Sequence, residues 1–213
     1  MTTTVLNKND YFNECFKTIK ANIKYSTLSN KNKVILITSA NKSVGCTTIA
    51  KHLAESFSDD KKVLLIDANL RNPILDKLYN YDNKVGLTNV LFREIKLESS
   101  VYKYSDSLHV LFSGAKSPKP GELLDSEQMS ELILLLKDNY DYIFIDAAPL
   151  ELVADTQYLI PKCDSIVLVV GHKDTKKQNL KYAKGIINQT NGTLLGVIVN
   201  KSKNIKEGFS KYY

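Results

Sequence analysis

The sequence predicts an α/β fold with a mostly parallel central sheet and helices on both faces. First, apolar runs alternate with helical patterns along the 213 residues. Second, runs such as 34–37, 63–66 and 166–170 are apolar at every position, as strands covered on both faces must be. Third, neither an internal repeat nor a low-complexity linker divides the chain. Its length therefore suits a single domain.

The predicted elements follow one another in a regular order. Residues 10–29 carry apolar side chains at three- and four-residue steps, which predicts an amphipathic helix. Next come the runs KVILITS, TTIAKHLAESF, KKVLLIDA, SLHVLFS, SEQMSELILLLKDN, YDYIFIDAAP, DSIVLVVG, KKQNLKYAKGIINQT and TLLGVIVNK. The stretch SGAKSPKPGE, residues 113–122, is rich in turn formers and is predicted to be a loop.

Composition narrows the class of protein. With 43% hydrophobic and 24% charged residues, the chain falls in the folded, soluble class. Its three cysteines lack Cys-x-x-Cys spacing, which argues against a zinc site or a disulfide framework and favours a reducing compartment. No run approaches the roughly 20 apolar residues of a membrane span, and no signal peptide opens the chain, so we expect a cytoplasmic protein. The net charge of +6 is spread along the chain, which favours a solvated surface over nucleic-acid binding.

Polar residues follow three of the predicted strands, at the sheet edge where parallel α/β proteins bind ligands. After the first strand comes SANKSVGCTT, residues 39–48, in which Gly45 lets the backbone approach a phosphate and Thr47 can offer a hydroxyl to Mg²⁺. Asp67 and Asp146 end two later strands, as suits carboxylates near a magnesium-bound water. Singly, each is more often a turn or cap residue. Together they predict one magnesium–nucleotide site.

These segments resemble the cytoplasmic bacterial tyrosine kinases of capsule and exopolysaccharide synthesis, the CpsD/CapB group of the P-loop NTPase superfamily. The resemblance covers residues 14–201 and implies one P-loop kinase-like domain, residues 1–205, with a short tyrosine-ending tail, residues 206–213. The matching segments are SANKSVGCTT (the P-loop), LLIDANLRNP (the modified second Walker motif), YDYIFIDAAPLELVADTQYL (Walker B), GLTNVL, SGAKSPKPGELLDS and GVIVNK.

The resemblance implies an enzyme that uses ATP and Mg²⁺ to phosphorylate tyrosines, chiefly those of its own tail, here Tyr212 and Tyr213; a frayed end without a substrate role is the alternative. It implies that Thr47, Asp67 and Asp146 serve the metal and that both aspartates are catalytic. The implied nucleotide-binding residues are Asn41, Lys42, Ser43, Val44, Gly45, Cys46, Thr47, Thr48 and Asn200.

Two positions depart from the family pattern. Cys46 stands where the family has the P-loop lysine, and Asn69 stands where the second motif has its second aspartate. Losing one charge-stabilising contact costs on the order of 10²- to 10³-fold in rate, by analogy with lost oxyanion donors. Asn69 keeps an oxygen but cannot act as a base. Lys42 is a candidate to supply the missing charge, and an exposed loop lysine is the alternative.

The resemblance also implies partners. Glu14, Lys17 and Lys20 match the Glu-x-x-Arg-x-x-Arg pattern through which these kinases pack into rings, although both arginines are lysines here. Their spacing puts them on one helix face, and a plain solvated face is the alternative. The family's activator is an integral-membrane polysaccharide co-polymerase, which would recruit the chain to the inner face of the plasma membrane.

Three functions stay open at this point. The first is an ATP-dependent tyrosine autokinase that regulates capsular or exopolysaccharide biosynthesis and export. The second is a catalytically impaired pseudokinase that acts as a scaffold in the same pathway. The third is a partitioning or septum-site ATPase with DNA or lipid as its partner. Against the third stand the SGAKSPKPGELLDS segment, the ring-type helix and the tyrosine end.

Overall fold

A computed structural model describes residues 8–27 and 33–202, with the backbone alone for residues 8–11. Its strands are β1 (Val34–Ser39), β2 (Val63–Asp67), β3 (Tyr102–Lys103), β4 (Leu108–Leu111), β5 (Tyr142–Asp146), β6 (Ser165–Gly171) and β7 (Leu194–Asn200). They form one sheet in the order β3-β4-β2-β5-β1-β6-β7. Neighbouring strands are parallel except for the antiparallel pair β3–β4. The predicted α/β fold with a mostly parallel sheet is confirmed.

Helices of very different length connect the strands. They are α1 (Lys8–Thr27), α2 (Cys46–Ser58), α3 (Leu75–Leu78), α4 (Leu87–Leu91), α5 (Leu97–Ser100), α6 (Pro120–Asp125), α7 (Glu127–Asn139), α8 (Asp155–Leu159), the 3₁₀ turn Ile160–Lys162, and α9 (Lys177–Gln189). Periodicity predicts the long helices α1, α2, α7 and α9. The prediction of a loop throughout residues 113–122 is wrong at its end, because α6 begins at Pro120, whose fixed φ suits the first turn of a helix. None of the described helices is long and apolar enough to cross a membrane.

The sheet carries a hydrophobic core on each face. Every residue of β1 and β2 is buried, which explains why their sequences are apolar at almost every position. One core packs β-strand side chains against α7 and α9, through residues such as Leu136 and Ile187. The other packs the opposite face against α1 and α2, through residues such as Phe16, Leu53 and Phe57. Burial of each such side chain stabilises the fold by about 1.5–3 kcal/mol.

The central strands end at one level, which positions the site. In the register of β2 and β5, Asp67 lies opposite Asp146. On the other side of β5, Asp146 lies opposite Ile37 of β1. Residues 40–45, which connect β1 to α2, therefore leave the sheet beside both aspartates. The convergence of three strand ends at one sheet edge agrees with the sequence analysis.

Helix α1 is bonded to the far end of α2. The Lys20 Nζ donates to the Ser56 carbonyl at 2.5 Å and lies 2.6 Å from Asp60 Oδ1. Such a cation also interacts favourably with the partial negative charge at a helix C-terminus. Glu14 and Lys17 form an ion pair at 2.6 Å on α1 itself. Lys20 is thus bonded within the chain, and a contact of these three side chains with a neighbouring subunit stays a prediction.

Candidate nucleotide-binding site

An open cavity of about 440 Å³ lies at the carboxyl edge of the sheet, between the loops that follow β1, β2 and β5. It is lined by Ser39, residues 42–48, Asn69, Arg71, Asn72, Ile74, residues 147–149, Leu152 and Val153. Helix α2 begins in this lining, at Cys46. The first N–H groups of a helix lack intrahelical partners and carry partial positive charge. The cavity is therefore built to receive an anion such as a phosphate.

Gly45 is the residue that shapes the entry into α2. Its backbone is left-handed, with φ 86° and ψ 29°, a conformation that residues with a Cβ disfavour. A Cβ at this position would also lie 2.5 Å from Nδ2 of Asn200. That amide donates a 2.8 Å hydrogen bond to the Val44 carbonyl. Glycine is therefore required both by the turn and by the close approach of β7.

Asp146 lies under the cavity, beside the first turn of α2. Burial raises the pKa of its carboxyl to about 7, although the Thr47 hydroxyl and the Cys46 thiol lie close enough to lower it in part. Neither carboxylate oxygen has a partner within normal hydrogen-bond geometry among the described residues. A buried polar atom without a partner calls for a ligand, a water or an ion. A carboxylate beside a threonine hydroxyl is an oxygen donor set of the kind that Mg²⁺ prefers.

Asp67 organises the loop that follows β2. Its carboxylate accepts hydrogen bonds from the backbone N–H of Asn69, at 3.1 Å, and of Leu75, at 3.3 Å. Burial and the neighbouring charge of Asp146 raise the pKa of Asp67, and these two backbone donors oppose the rise. By fixing this loop, Asp67 holds the Asn69 and Arg71 side chains at the cavity.

Cys46 contributes no positive charge to the cavity wall. Burial and the Asp146 charge raise the pKa of the Cys46 thiol well above its usual value, so the group is neutral at physiological pH. The cations in the described lining are Lys42 and Arg71. Arg71 makes a bidentate pair with the buried Asp155, at 2.6 and 3.0 Å. Lys42 is exposed and has no polar contact with the described side chains, apart from the Asn41 amide at its carbonyl.

The sequence comparisons agree with this geometry. Residues 32–194 match the family described as AAA domain (AAA_31). Tyrosine-protein kinase YwqD of Bacillus subtilis (strain 168) is 38% identical over 202 residues, which are 94% of this chain and 85% of that protein. The chain belongs to the bacterial tyrosine-protein kinase family. A second member, tyrosine-protein kinase CpsD of Streptococcus pneumoniae, is 34% identical over 191 residues, 88% of this chain and 83% of the relative.

Solved structures place this bacterial tyrosine kinase homologue in the P-loop NTPase fold. The chimerical protein CapA2B2 superposes with a TM-score of 0.85 at 31% identity, over 89% of this chain and 84% of that one. The septum site-determining protein MinD of Pyrococcus horikoshii, solved with Mg-ADP, superposes with a TM-score of 0.67 at 25% identity, over 81% of this chain and 71% of that one. The fold is thus one that binds nucleotides in general.

The predicted residues of the nucleotide site and the tail divide into four groups. Residues 42–48 line the cavity, whereas Asp67 and Asp146 lie buried beneath it. Asn41 and Asn200 lie outside the lining; Asn41 accepts a hydrogen bond from the Thr175 hydroxyl, and Asn200 donates one to the Val44 carbonyl. The predicted phosphoacceptors Tyr212 and Tyr213 and the whole tail at 206–213 lie outside the described residues.

Sequence reasoning missed the partner of Arg71 and the apolar side of the cavity. Asp155 begins α8, shortly after the end of β5, and that place beyond a strand end is the signal that could have found it. Ile74 and Leu152 line the cavity with partly exposed side chains. No sequence pattern singles them out, because each stands in a loop without periodicity.

Proposed function

We propose that this chain is a homologue of the ATP-dependent protein-tyrosine kinases that acts in capsular or exopolysaccharide biosynthesis and export. The observation that carries the proposal is the buried Asp146 carboxylate, which has no hydrogen-bond partner among the described residues. It lies beside Thr47 in the first turn of α2, at the cavity. Membership in the tyrosine-protein kinase family supports the same activity.

In this proposal ATP binds with its phosphates along residues 41–48. Thr47, Asp67 and Asp146 serve Mg²⁺, which when bound neutralises charge on the phosphates. Gly45 keeps the backbone open for that approach, and Asn200, which donates to the Val44 carbonyl, is the residue we propose to contact the adenine.

The reaction we propose is phosphoryl transfer to a tyrosine. The phenolic oxygen attacks the terminal phosphorus, the bond to the ADP oxygen breaks, and the phenolic proton passes to a carboxylate. Asp67 is the proposed acceptor of that proton, because it is the carboxylate that remains in a motif whose second acidic position is Asn69. Tyr212 and Tyr213 are the proposed acceptors of phosphate.

A second candidate function rests on Cys46. A neutral thiol at the start of α2 stabilises none of the charge that develops during transfer, and Asn69 supplies no second carboxylate. We therefore propose that catalysis is weaker by about 10²- to 10³-fold than with a lysine at position 46. At that limit the chain is a pseudokinase whose role is to assemble with partners in the same pathway.

The proposed partners follow from the family assignment. We propose that an integral-membrane polysaccharide co-polymerase supplies a cytoplasmic segment to this chain and holds it at the inner face of the plasma membrane. We further propose a homo-oligomeric ring in which Glu14, Lys17 and Lys20 take part, although Lys20 would first have to leave its partners on α2.

The deciding experiment measures phosphotyrosine on the full chain. The purified protein is incubated with Mg-ATP and the co-polymerase segment, and phosphate is located by antibody and mass spectrometry. The variants are Cys46→Lys, with Cys46→Ser as the matched neutral control, and the double change Tyr212→Phe/Tyr213→Phe. Phosphate on the tail of the unmodified chain supports the kinase and excludes the pseudokinase. Phosphate only in Cys46→Lys supports the pseudokinase, and an absence of Mg-ATP binding in every variant overturns the kinase.

A further inference from the structure

Two non-glycine residues with left-handed backbones meet at the P-loop. Ser43 has φ 63° and Lys201 has φ 60°. Side chains disfavour this conformation, so each residue must be held in it by its surroundings. The Lys201 Nζ donates a 2.8 Å hydrogen bond to the Ser43 carbonyl. One strained residue is thus bonded directly by the side chain of the other.

The Lys201 side chain is itself oriented from the loop that follows β6. Its Nζ lies 2.7 Å from Asp174 Oδ2, so one ammonium group joins this carboxylate to the P-loop carbonyl. The preceding residue works in parallel, because the Asn200 amide donates to the Val44 carbonyl at 2.8 Å and accepts from the Lys201 N–H at 2.8 Å. Two successive side chains at the end of β7 therefore bind two successive carbonyls of the P-loop.

A third connection joins the start of the P-loop to the same region. The Thr175 hydroxyl donates to Asn41 Oδ1 at 2.6 Å and accepts from the Gly171 N–H at 2.9 Å. Neither Asn41 nor Lys201 belongs to the cavity lining, whereas Ser43 does. The P-loop is consequently held at Asn41, Ser43 and Val44 by side chains that do not belong to the cavity lining.

We propose that Lys201 is a positioning residue for the P-loop, which keeps Ser43 in its left-handed conformation before a nucleotide arrives. The inference rests on the proposed nucleotide binding for its effect on affinity, but its effect on the empty loop is independent of any ligand. Lys201 acts through the Ser43 peptide, since its ammonium group is bonded to the Ser43 carbonyl and to the Asp174 carboxylate. Glycine at position 43 makes the contact dispensable, because glycine adopts positive φ without a steric penalty.

The first test measures backbone hydrogen exchange of the full chain without ligand. Lys201→Met should speed exchange at residues 42–48 by about fivefold, a modest factor because both Lys201 and Asp174 are about half exposed. Lys201→Met/Ser43→Gly should return exchange to within about twofold of the unmodified protein. Lys173→Met, a change of an exposed lysine in the neighbouring turn, is the matched control and should have no effect. Asp174→Asn, which removes the carboxylate that orients Lys201, should act in the same direction and serves if Lys201→Met does not fold.

The second test measures the affinity for a fluorescent ADP analogue. Lys201→Met should weaken binding by about fivefold, and the added Ser43→Gly should restore it. Weakened binding that Ser43→Gly does not restore would make Lys201 a ligand of the phosphates and overturn the positioning role. Unchanged exchange in Lys201→Met would overturn it as well. If the unmodified chain binds no ADP, the proposed function fails, and the exchange experiment alone decides this inference.

Discussion

Asp67 and Asp146 are register partners on the adjacent strands β2 and β5, so two buried carboxylates stand side by side beneath one cavity. Removal from water disfavours the ionised form of each, and the Asp146 charge raises the pKa of Asp67 further. Without a cation the pair opposes folding at neutral pH. A divalent cation at this place would convert the same pair into a source of stability.

The first prediction concerns the pH dependence of the empty protein. The Asp146 pKa is about 7 in the fold against 3.8 for an ordinary aspartate, so the unfolded chain releases this proton first as the pH rises. The free energy of unfolding should therefore fall between pH 4 and pH 8, by about 2–4 kcal/mol from this residue. Asp146→Asn should flatten the profile and stabilise the protein at pH 8, as measured by urea unfolding.

The matched control for that experiment is Asp106→Asn, which changes an exposed carboxylate in the turn before β4. It should leave the pH profile of the unmodified protein in place. A profile that Asp146→Asn does not alter would show that this carboxyl does not carry the dependence. Asp67 acts in the same direction, so some slope should persist in Asp146→Asn.

A second prediction concerns Gly45 and Asn200. Gly45→Ala places a Cβ in a left-handed backbone and 2.5 Å from the Asn200 amide, and should lower the free energy of unfolding by about 2–3 kcal/mol. In a double-mutant cycle, Gly45→Ala/Asn200→Gly should cost about 1 kcal/mol less than the sum of the single changes, because the clash is absent. Strict additivity would mean that the loop moves away from β7 and avoids the contact.

A third prediction concerns the missing P-loop charge. If Lys42 partly replaces it, Lys42→Ala should weaken ATP binding by about three- to tenfold and ADP binding by less, since the terminal phosphate carries the added charge. Thr47→Ala should instead remove the Mg²⁺ dependence of binding. Titration calorimetry separates these effects, with Lys173→Ala as the control. If Lys42→Ala leaves the ATP affinity unchanged while Thr47→Ala abolishes ATP binding, Lys42 is a solvent-exposed lysine without a role in binding.

A fourth prediction concerns the junction of α1 and α2. Hydrogen bonds from Lys20 and Lys24 lower the Asp60 pKa to about 2. This stabilises the fold above the unfolded pKa near 4 and is lost as the pH falls toward 2. Lys20→Met should cost about 1 kcal/mol at pH 7 and less at pH 2.5, a small value because Asp60 is about half exposed. Lys61→Met is the exposed control, and an equal loss at both pH values would point to packing instead of charge.

The buried strands, and the meeting of their carboxyl ends at one edge of the sheet, are the parts that local patterns predict well. Strands such as β1 are apolar at consecutive positions because both faces are covered, and that signal needs no knowledge of the rest of the chain. The meeting of Thr47, Asp67 and Asp146 follows from one topological rule, since the carboxyl ends of parallel strands share an edge. Their roles in binding and catalysis stay predictions.

Contacts between distant parts of the chain lie beyond such patterns. Lys201 and Ser43 are 158 residues apart, and only the completed sheet brings them together. From the sequence alone, Lys20 is predicted to be an exposed charge on a helix. In the structure α2 packs beside it, and its ammonium group binds Ser56 and Asp60. The two-residue strand β3 and the four-residue helix α3 are too short to carry a period.

Helix α2 has a mechanical consequence. Its 13 residues form a rod about 20 Å long, with one end at the cavity and the other bonded to the ammonium group of Lys20. A packed helix transmits displacement along its axis instead of absorbing it. A partner that displaces α1 must therefore either break the hydrogen bond from Lys20 to Ser56 or shift the start of α2 at the cavity. The geometry of the cavity is thereby linked to the partners that bind α1.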